Sequence, residues 1–375
     1  MSYRHFLKSL GLQIPIIQAP MAGICDAKLV AAVCNNGALA SLPISHIDFT
    51  SSNGIGELRS LISEVNGLID NKAYERNINL NFFCHDVVID VPAEEKENWY
   101  NLYERVSSVK IPRGDSLFNK RGVSFKDFEN GKPFDDLLSF FKHEFTPKVL
   151  SFHFGYPQST SIKAFQDLGI KVFVTATSAE EFRLLNELGV DGIICQGYEA
   201  GGHRGNFLQP ELFDEKLSTA CLIKRTIPLV NMDEKNCTFV IPAGGLNSPE
   251  DVKYMLNLGV SAVQVGTAFL TTAECKVASK FNRILSSVDI PEPTIMTNLV
   301  SGKHARAISS PFLRRLTDVY HDEALPDYSY MYGAFKSMKE KYPKELQFVL
   351  AGQNYGSIKT NLTVGQLLDN FARGL

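Results

Sequence analysis

KVFVTATSAEEFRLLNELGVDGIICQG, residues 171–197, predicts a strand, a helix and a second strand in immediate succession. Both apolar runs are continuous rather than alternating, which is typical of strands covered on both faces in a parallel sheet. Between them, Ser178 and Glu181 match a helix-start box, in which a hydroxyl caps the first turn and a carboxylate reaches back. Gly189 is the expected stop. Such a unit favours a right-handed crossover between parallel strands.

The same unit recurs along the chain. A second helix-start box lies at Ser248 and Asp251, and residues 158–169 show a similar helical pattern. Eight β-rich runs alternate with such helices, at residues 14–20, 37–42, 79–85, 149–155, 171–177, 191–197, 238–245 and 262–270. Eight strand–helix units predict a protein of the α/β class, a closed (β/α)8 TIM-type barrel rather than an open doubly wound sheet.

Two segments do not fit this ring of strands and helices. Residues 86–148 are polar and carry the only tryptophan, Trp99, which indicates an elaborated insert within a barrel of residues 1–270. Residues 271–347 contain five prolines and several helical stretches, and they predict a helical substrate cap at the carboxyl-end mouth. Residues 348–375 are expected to form a helical tail that packs on the barrel.

The composition is that of an ordinary globular protein. Of 375 residues, 44% are hydrophobic and 21% charged, and 38 basic against 41 acidic residues give a net charge of −3. Without a basic excess, neither nucleic acid nor an anionic membrane is an expected partner. The seven cysteines form no CxxC pair and their number is odd, which argues against a disulfide framework or a thiolate zinc site.

The first residues lack the apolar core of a signal peptide, and no run of about 18 apolar residues follows. We therefore expect a cytoplasmic protein with reduced thiols. Arg4 and Lys8 lie in a short start that could be amphipathic, so a mitochondrial import signal stays open.

Polar residues and glycines gather where the predicted strands end, the edge at which barrels of this kind carry function. Gly244 and Gly245 follow one of the last two strands, and Gly266 and Thr267 lie in the other. Bare backbone N–H groups at this corner can bind a phosphate, although tight strand–helix turns would use the same residues. There is no GxxxxGK[ST] loop and no GxGxxG at a strand–helix junction, which argues against a nucleoside triphosphate or Rossmann dinucleotide site.

Three side-chain amides could hydrogen-bond to the polar edge of a flavin ring, or could form their hydrogen bonds within the barrel mouth. They are Asn81, Gln196 and Gln264. YEAGGHRG, residues 198–205, places His203 in a glycine-rich loop, where it could be a proton acceptor or a structural histidine. His153 lies between two phenylalanines, and we interpret it as part of the pocket wall rather than as a catalytic group.

These segments resemble the class I nitronate monooxygenases, also called 2-nitropropane dioxygenases. The matching stretches are QAPMAG at 18–23, NLNFFCH at 79–85, SFHFGYP at 151–157, QGYEAGGHRGNF at 196–207, AGGL at 243–246, AVQVGTAF at 262–269, SGKHAR at 301–306 and PDY at 326–328. They run in order over most of the chain, and the 196–207 segment is highly specific. Two departures are Ile24-Cys25-Asp26 after the first motif and Pro242 before the AGG turn.

The resemblance implies a barrel that holds FMN non-covalently and needs no metal. It implies cofactor contacts at Pro20, Met21, Asn81, Gln196, Gly201, Gly202, Gly244, Gly245, Gln264, Gly266 and Thr267. It implies His203 as the catalytic base, and substrate contacts at His153, Tyr328, Tyr332 and Lys336. Arg204 is a further candidate for positive charge.

The implied activity is the oxidation of alkyl nitronates, propionate 3-nitronate above all, and nitroalkanes, with O₂ to carbonyl compounds and nitrite. Two alternatives stay open at this point. One is an NAD(P)H-dependent flavin reductase of quinone or enoyl reductase type, and the other is a non-catalytic barrel that binds a phosphate ligand. The expected partners are the small substrate and O₂, and the chain is expected to be a monomer or a homodimer.

Overall fold

Eight parallel strands form a barrel in the computed structural model, which describes residues 3–107, 109–114, 117–119, 121–230, 238–286 and 291–375. The strands are β1 Ile16–Gln18, β2 Ala40–Pro43, β3 Ile78–Phe83, β4 Val149–His153, β5 Lys171–Ala176, β6 Gly192–Gln196, β8 Phe239–Ala243 and β9 Val263–Val265. Their order in the sheet is β1-β9-β8-β6-β5-β4-β3-β2, and the short strand β7 belongs to a second sheet described below. Hydrogen bonds from Leu39 N–H to Ile16 O and from Gln18 N–H to Leu39 O join the two ends. The predicted barrel is confirmed.

The helices of the described ranges surround this sheet. They are α1 Tyr3–Leu10, α2 Ala27–Asn35, α3 Gly54–Asn66, α4 Ala93–Ser107, α5 Lys132–His143, α6 Ser159–Asp167, α7 Ala179–Leu188, α8 Thr219–Thr226, α9 Pro249–Asn257, α10 Ala278–Ser286, α11 Pro311–Val319, α12 Tyr330–Lys341 and α13 Val364–Ala372. Both predicted helix starts are confirmed, because the Ser178 and Ser248 hydroxyls accept from the N–H groups of Glu181 and Asp251. The last helix, α13, packs against α2 and α9.

The barrel core is rich in phenylalanine. Phe165 is fully buried and contacts the rings of Phe125 and Phe152, which link α6 to the insert and to β4. At the other end of the barrel, Phe6 of α1 packs edge to face on Phe239 of β8. The buried side chains of α1, Phe6 and Leu10, close that end, so the opposite end is left to carry polar groups.

A second hydrophobic cluster lies over the barrel mouth. Trp99 of α4 is fully buried and stacks on Tyr103, with ring centroids 4.3 Å apart. Tyr103 contacts Phe312 of α11 and Phe335 of α12. The 86–148 insert is therefore divided, since α4 packs with the cap helices while α5 buries Leu137 in the barrel cluster. We name the Trp99 group the cap cluster; the domain boundaries at residues 270 and 347 stay a prediction.

A small antiparallel sheet joins the cap region to the barrel. It consists of β10 Thr294–Thr297, β11 Ala305–Ile308 and the two-residue strand β7 Gly202–His203. Residues 271–347 were predicted to contain several helical stretches and no strand was predicted among them, so this sheet is an addition to the predicted cap. No described helix is both long and apolar enough to span a bilayer.

We expect Phe335→Ala to lower the free energy of unfolding by about 3–5 kcal/mol, because it leaves a cavity in the cap cluster. Trp99 is the only tryptophan and lies in the same cluster, so its fluorescence reports the loss of cap packing. In this variant the fluorescence should change at lower denaturant than the far-ultraviolet circular dichroism, which follows all helices. Phe165→Ala, in the barrel cluster, is the matched control. Coincident transitions in Phe335→Ala would show instead that both clusters unfold as one unit.

Candidate functional site

A cavity of about 710 Å³ opens at the carboxyl ends of the barrel strands, beneath the cap cluster. The structure brings every predicted site residue to its wall. Those residues are Pro20, Met21, Asn81, His153, Gln196, Gly201, Gly202, His203, Gly244, Gly245, Gln264, Gly266, Thr267, Tyr328, Tyr332 and Lys336. Their individual roles stay predictions, but the arrangement places the candidate base, amides, glycines and cap side chains around one space.

The hydrogen bonds of Ser301 assign a tautomer to the imidazole of His203. Its Nε2 lies 2.9 Å from Ser301 Oγ, and the Ser301 hydroxyl donates its own proton to Lys303 O at 2.9 Å. Ser301 Oγ must therefore accept the bond, which puts a proton on Nε2. The lone pair of the neutral ring is then on Nδ1.

The backbone at His203 is fastened by two barrel side chains. Its carbonyl oxygen accepts from Gln196 Nε2 at 2.9 Å and from His153 Nε2 at 3.2 Å. Gln196 Oε1 in turn accepts from Gly205 N–H at 2.8 Å. Gln196, a predicted flavin contact, thus already uses both ends of its amide to hold the His203 loop. His153 completes its own bonding with Thr175 Oγ1 at 3.1 Å, which fits its predicted place in the wall.

His153 and His203 are neutral near pH 7. Burial, with smaller contributions from the charges of His153, Lys303 and Lys336, lowers the pKa of His203 to about 3. Burial also lowers the pKa of His153 to about 4, against a raising effect of its bond to His203. A neutral imidazole with a free lone pair can accept a proton, so His203 has the protonation state that a base requires.

An aromatic wall surrounds His203 on the cap side. The Tyr328 and Tyr332 rings lie 5.5 and 5.2 Å from the His203 ring and stack on each other at 6.3 Å. Lys336 Nζ lies 4.8 Å from the Tyr332 centroid, and burial lowers its pKa from the ordinary lysine value. No carboxylate of the described chain forms an ion pair with Lys336, so its charge is available to a ligand.

The glycine corner lies at the ends of β8 and β9. Gly244 and Gly245 adopt φ angles of 122° and 72°, in the region that side chains disfavour. A Cβ on Gly244 would meet Ala200 N at 2.8 Å. Thr267 Oγ1 accepts from Gly352 N–H at 3.0 Å, which brings the 350–352 loop to the same corner. Gly244 is therefore required by contact with the protein itself, and the binding of a phosphate at this corner stays a prediction.

Arg204 does not line the cavity, although it was a candidate for positive charge there. It is only 2% exposed and forms a bidentate ion pair with Asp214, with both N···O distances 2.8 Å. Arg204 Nη1 also donates to Gln196 O at 2.6 Å. Its charge is neutralised within the fold, and its evident contribution is to the shape of the loop.

Some cavity residues were missed by the sequence analysis. Arg121, Gly122 and Val123 of the insert reach the wall, where Gly122 N–H donates to Ser329 Oγ at 2.9 Å. No motif marks them, because their position depends on a contact with a cap segment about 200 residues away. Ser301 stands in the quoted SGKHAR stretch, but a serine in a loop carries no specific signal of binding a histidine.

The two departures from the family motif are accommodated locally. Asp26 caps α2, since its carboxylate accepts from Leu29 N–H at 3.1 Å, and Cys25 Sγ accepts from Gln18 Nε2 at 3.1 Å. Pro242 lies within β8 opposite Cys195, and the strand continues through it to Ala243.

Comparisons with known proteins identify the family of the chain. The sequence profile of the family described as nitronate monooxygenase matches residues 4–374. A Saccharomyces cerevisiae protein, provisionally described as a nitronate monooxygenase, is 43% identical over 379 residues, which cover 99% of this chain and 93% of the relative. The nitronate monooxygenase of Pseudomonas aeruginosa is 33% identical over 345 residues, covering 89% of this chain and 88% of its own.

Among solved structures, the nitroalkane oxidase of Streptomyces ansochromogenes shares the fold with a TM-score of 0.77 at 24% identity, over 98% of this chain and 97% of that one. That likeness concerns the fold alone. The family profile and the sequence relatives carry the assignment, because their matches span most or almost all of the chain. This chain belongs to the nitronate monooxygenase family, a family of flavin-dependent oxidoreductases.

Proposed function

We propose that the cavity holds FMN and that the enzyme oxidises alkyl nitronates with O₂, giving a carbonyl compound and nitrite. The observation that carries this proposal is the protonation state of the His203 imidazole. Its Nε2 proton is committed to Ser301, which leaves a lone pair on Nδ1, and the residue lines the cavity together with a lysine and two tyrosines. This combination suits a substrate that gives up a carbon-bound proton or arrives as an anion.

The residues present fit FMN. Gln264 Oε1 is buried at the cavity wall without a hydrogen-bond partner in the described chain, and it needs a donor such as a flavin ring N–H. Gly244, Gly245, Gly266 and Thr267 would hold the phosphate, and Asn81 and Gln264 would address the ring. FMN, when bound, supplies the transfer of electrons from the substrate to O₂.

The chain's own residues would bind and orient the substrate. His203 Nδ1 would accept the α-proton of a neutral nitroalkane, and Ser301 would hold the ring so that Nδ1 faces the reacting carbon. A nitronate that is already ionised needs no such transfer, and the imidazolium or Lys336 would then stabilise its charge. Tyr328 and Tyr332 would exclude water above the site.

Lys336 supports a carboxylated substrate such as propionate 3-nitronate. Its ammonium group faces the cavity from α12, one helical turn beyond Tyr332, and has no ion pair in the described chain. A second anionic group on the substrate could bind there while the nitronate lies near His203.

We also propose a cellular compartment, partners and an oligomeric state. The six described cysteines are free thiols, which suits a reducing compartment, and we propose the cytoplasm. The proposed partners are the small substrate and O₂. A monomer or a homodimer is the proposed state.

We expect a nitronate to reduce the bound flavin rapidly when the two are mixed without oxygen, whereas NADH should barely do so. The absence of a nucleotide-binding loop and the aromatic wall of the cavity favour faster reduction by the nitronate than by NADH. Stopped-flow absorbance of the yellow holoenzyme measures both reactions in parallel. Rapid reduction by NADH with no response to nitronate would replace the proposal with a flavin reductase.

His203→Asn should keep FMN but lose turnover with neutral nitroalkanes by about a hundredfold or more, the usual contribution of a general base. Preformed nitronates should lose far less, because they need no proton transfer. Steady-state kinetics on both substrates at one pH provide the comparison. An equal loss on the two substrates would remove the role of His203 as a proton acceptor.

Lys336→Met should raise the KM for propionate 3-nitronate about tenfold or more, since a charge-assisted contact to the carboxylate is lost. The KM for propyl 1-nitronate, which has no carboxylate, is the control and should change much less. If both KM values rise together, Lys336 binds the nitronate group and not the carboxylate.

A further inference from the structure

Lys303 is a half-buried lysine close to His203 that does not line the cavity. Its Nζ lies 5.3 Å from the centroid of the Phe154 ring. Phe154 meets the His203 ring edge to face, with centroids 5.7 Å apart. One aromatic ring therefore contacts both the ammonium group and the candidate base.

Lys303 reaches His203 by a second route through the backbone. Its carbonyl oxygen accepts the Ser301 hydroxyl proton, and this bond forces Ser301 Oγ to accept from His203 Nε2. Gly302, between them, has φ 79°, and a Cβ there would meet Tyr328 N at 2.3 Å. The Ser301–Lys303 turn is thus packed against both His203 and the aromatic wall.

Phe154 has a backbone conformation that is unfavourable for a residue with a bulky side chain. Its φ of 71° lies in the left-handed region, which bulky side chains disfavour, and such residues persist where the surroundings impose them. The neighbouring Gly155 cannot carry a side chain, because a Cβ would meet Cys84 O at 2.5 Å. The strained turn keeps the Phe154 ring between Lys303 and His203.

The charge of Lys303 is not cancelled by a direct ion pair. In the described chain no carboxylate lies within ion-pair distance of Nζ; the acidic groups that act on it from farther away are Asp86, Glu181, Glu211 and Asp327. In the described chain, the ionisable groups that act on or contact His203 are His153, Lys303, Lys336, Tyr328 and Tyr332, beside the Phe154 ring. None of these is a carboxylate, so the charges that act on His203 most directly are positive.

We propose that Lys303 is a positioning residue for the reaction: its carbonyl fixes the proton of His203 on Nε2, and its ammonium group behind Phe154 disfavours a second proton and attracts the anionic substrate. This inference rests on the proposed function, because it assigns Lys303 to the same base. It concerns a residue outside the cavity, whose effect is transmitted by charge rather than by contact with the substrate.

The direction in which the proton affinity of His203 changes follows from the positive charge of Lys303. Removing a positive charge near His203 favours its protonated form, so the proton affinity of His203 should rise, by about tenfold for a charge about 10 Å away. The acid limb of turnover on neutral nitroalkanes then moves to higher pH, because the base is lost to protonation earlier as pH falls.

The test compares the holoenzyme with Lys303→Met and Lys303→Arg, with Lys339→Met as the matched control. Lys339 Nζ lies over Phe335 at 5.9 Å, in a similar lysine–ring contact within the cap cluster and away from the cavity. Nitrogen NMR of ¹⁵N-histidine-labelled protein reports the tautomer and titration of His203, and His203→Asn assigns its signal. This reading needs no turnover.

We expect His203 to stay neutral with its proton on Nε2 in the unaltered enzyme, in Lys303→Arg and in Lys339→Met. In Lys303→Met its proton affinity should rise about tenfold. Lys303→Gln replaces the Met variant if that protein does not fold. A titration unchanged by loss of the charge, or moved equally by Lys303→Arg, would overturn the proposal. If the titration moves but nitronate does not reduce the flavin, the proposed function fails and the electrostatic coupling stands.

Discussion

The carbonyl oxygen of His203 accepts hydrogen bonds from Gln196 of β6 and His153 of β4, and the rest of the site depends on this shared acceptor. These bonds tie the loop of residues 198–205 to two barrel strands. Within β7, His203 also pairs with Ala305 of β11. His203 is thereby held between the barrel and the cap region. A residue held from both sides has little freedom to move relative to the cavity, which is the preorganisation that the proposed proton transfer requires.

The glycines around His203 are explained by this packing. A Cβ on Gly201 would meet Ala351 C at 2.4 Å, and one on Gly205 would meet His153 Cε1 at 2.5 Å. From the sequence alone, the glycines of YEAGGHRG indicate only a glycine-rich loop around His203. The structure adds that two of them are required by close contact with the protein itself, since the loop passes between His153 and the 350–352 segment.

The barrel was predictable because its signals are local. Continuous apolar runs, hydroxyl caps such as Ser178 and stops such as Gly189 each describe a few neighbouring residues, and the structure follows them. The gathering of predicted site residues at one cavity follows from the same rule, since parallel strands end at one edge. The cap sheet was not predictable, because the two residues of β7 carry no strand propensity and pair only with β11, about 100 residues away. Ser301, Lys303 and Arg121 were missed for the same reason: their importance depends on what the fold brings beside them.

The charges near the cavity argue that function, not stability, has shaped this region. Lys303 and Lys336 have pKa values lowered by burial and form no ion pair in the described chain, whereas the buried Arg204 has its full partner in Asp214. A lysine that loses water without gaining a carboxylate lowers stability. Such a cost is expected where an anion completes the site, and an anionic cofactor and substrate would do so.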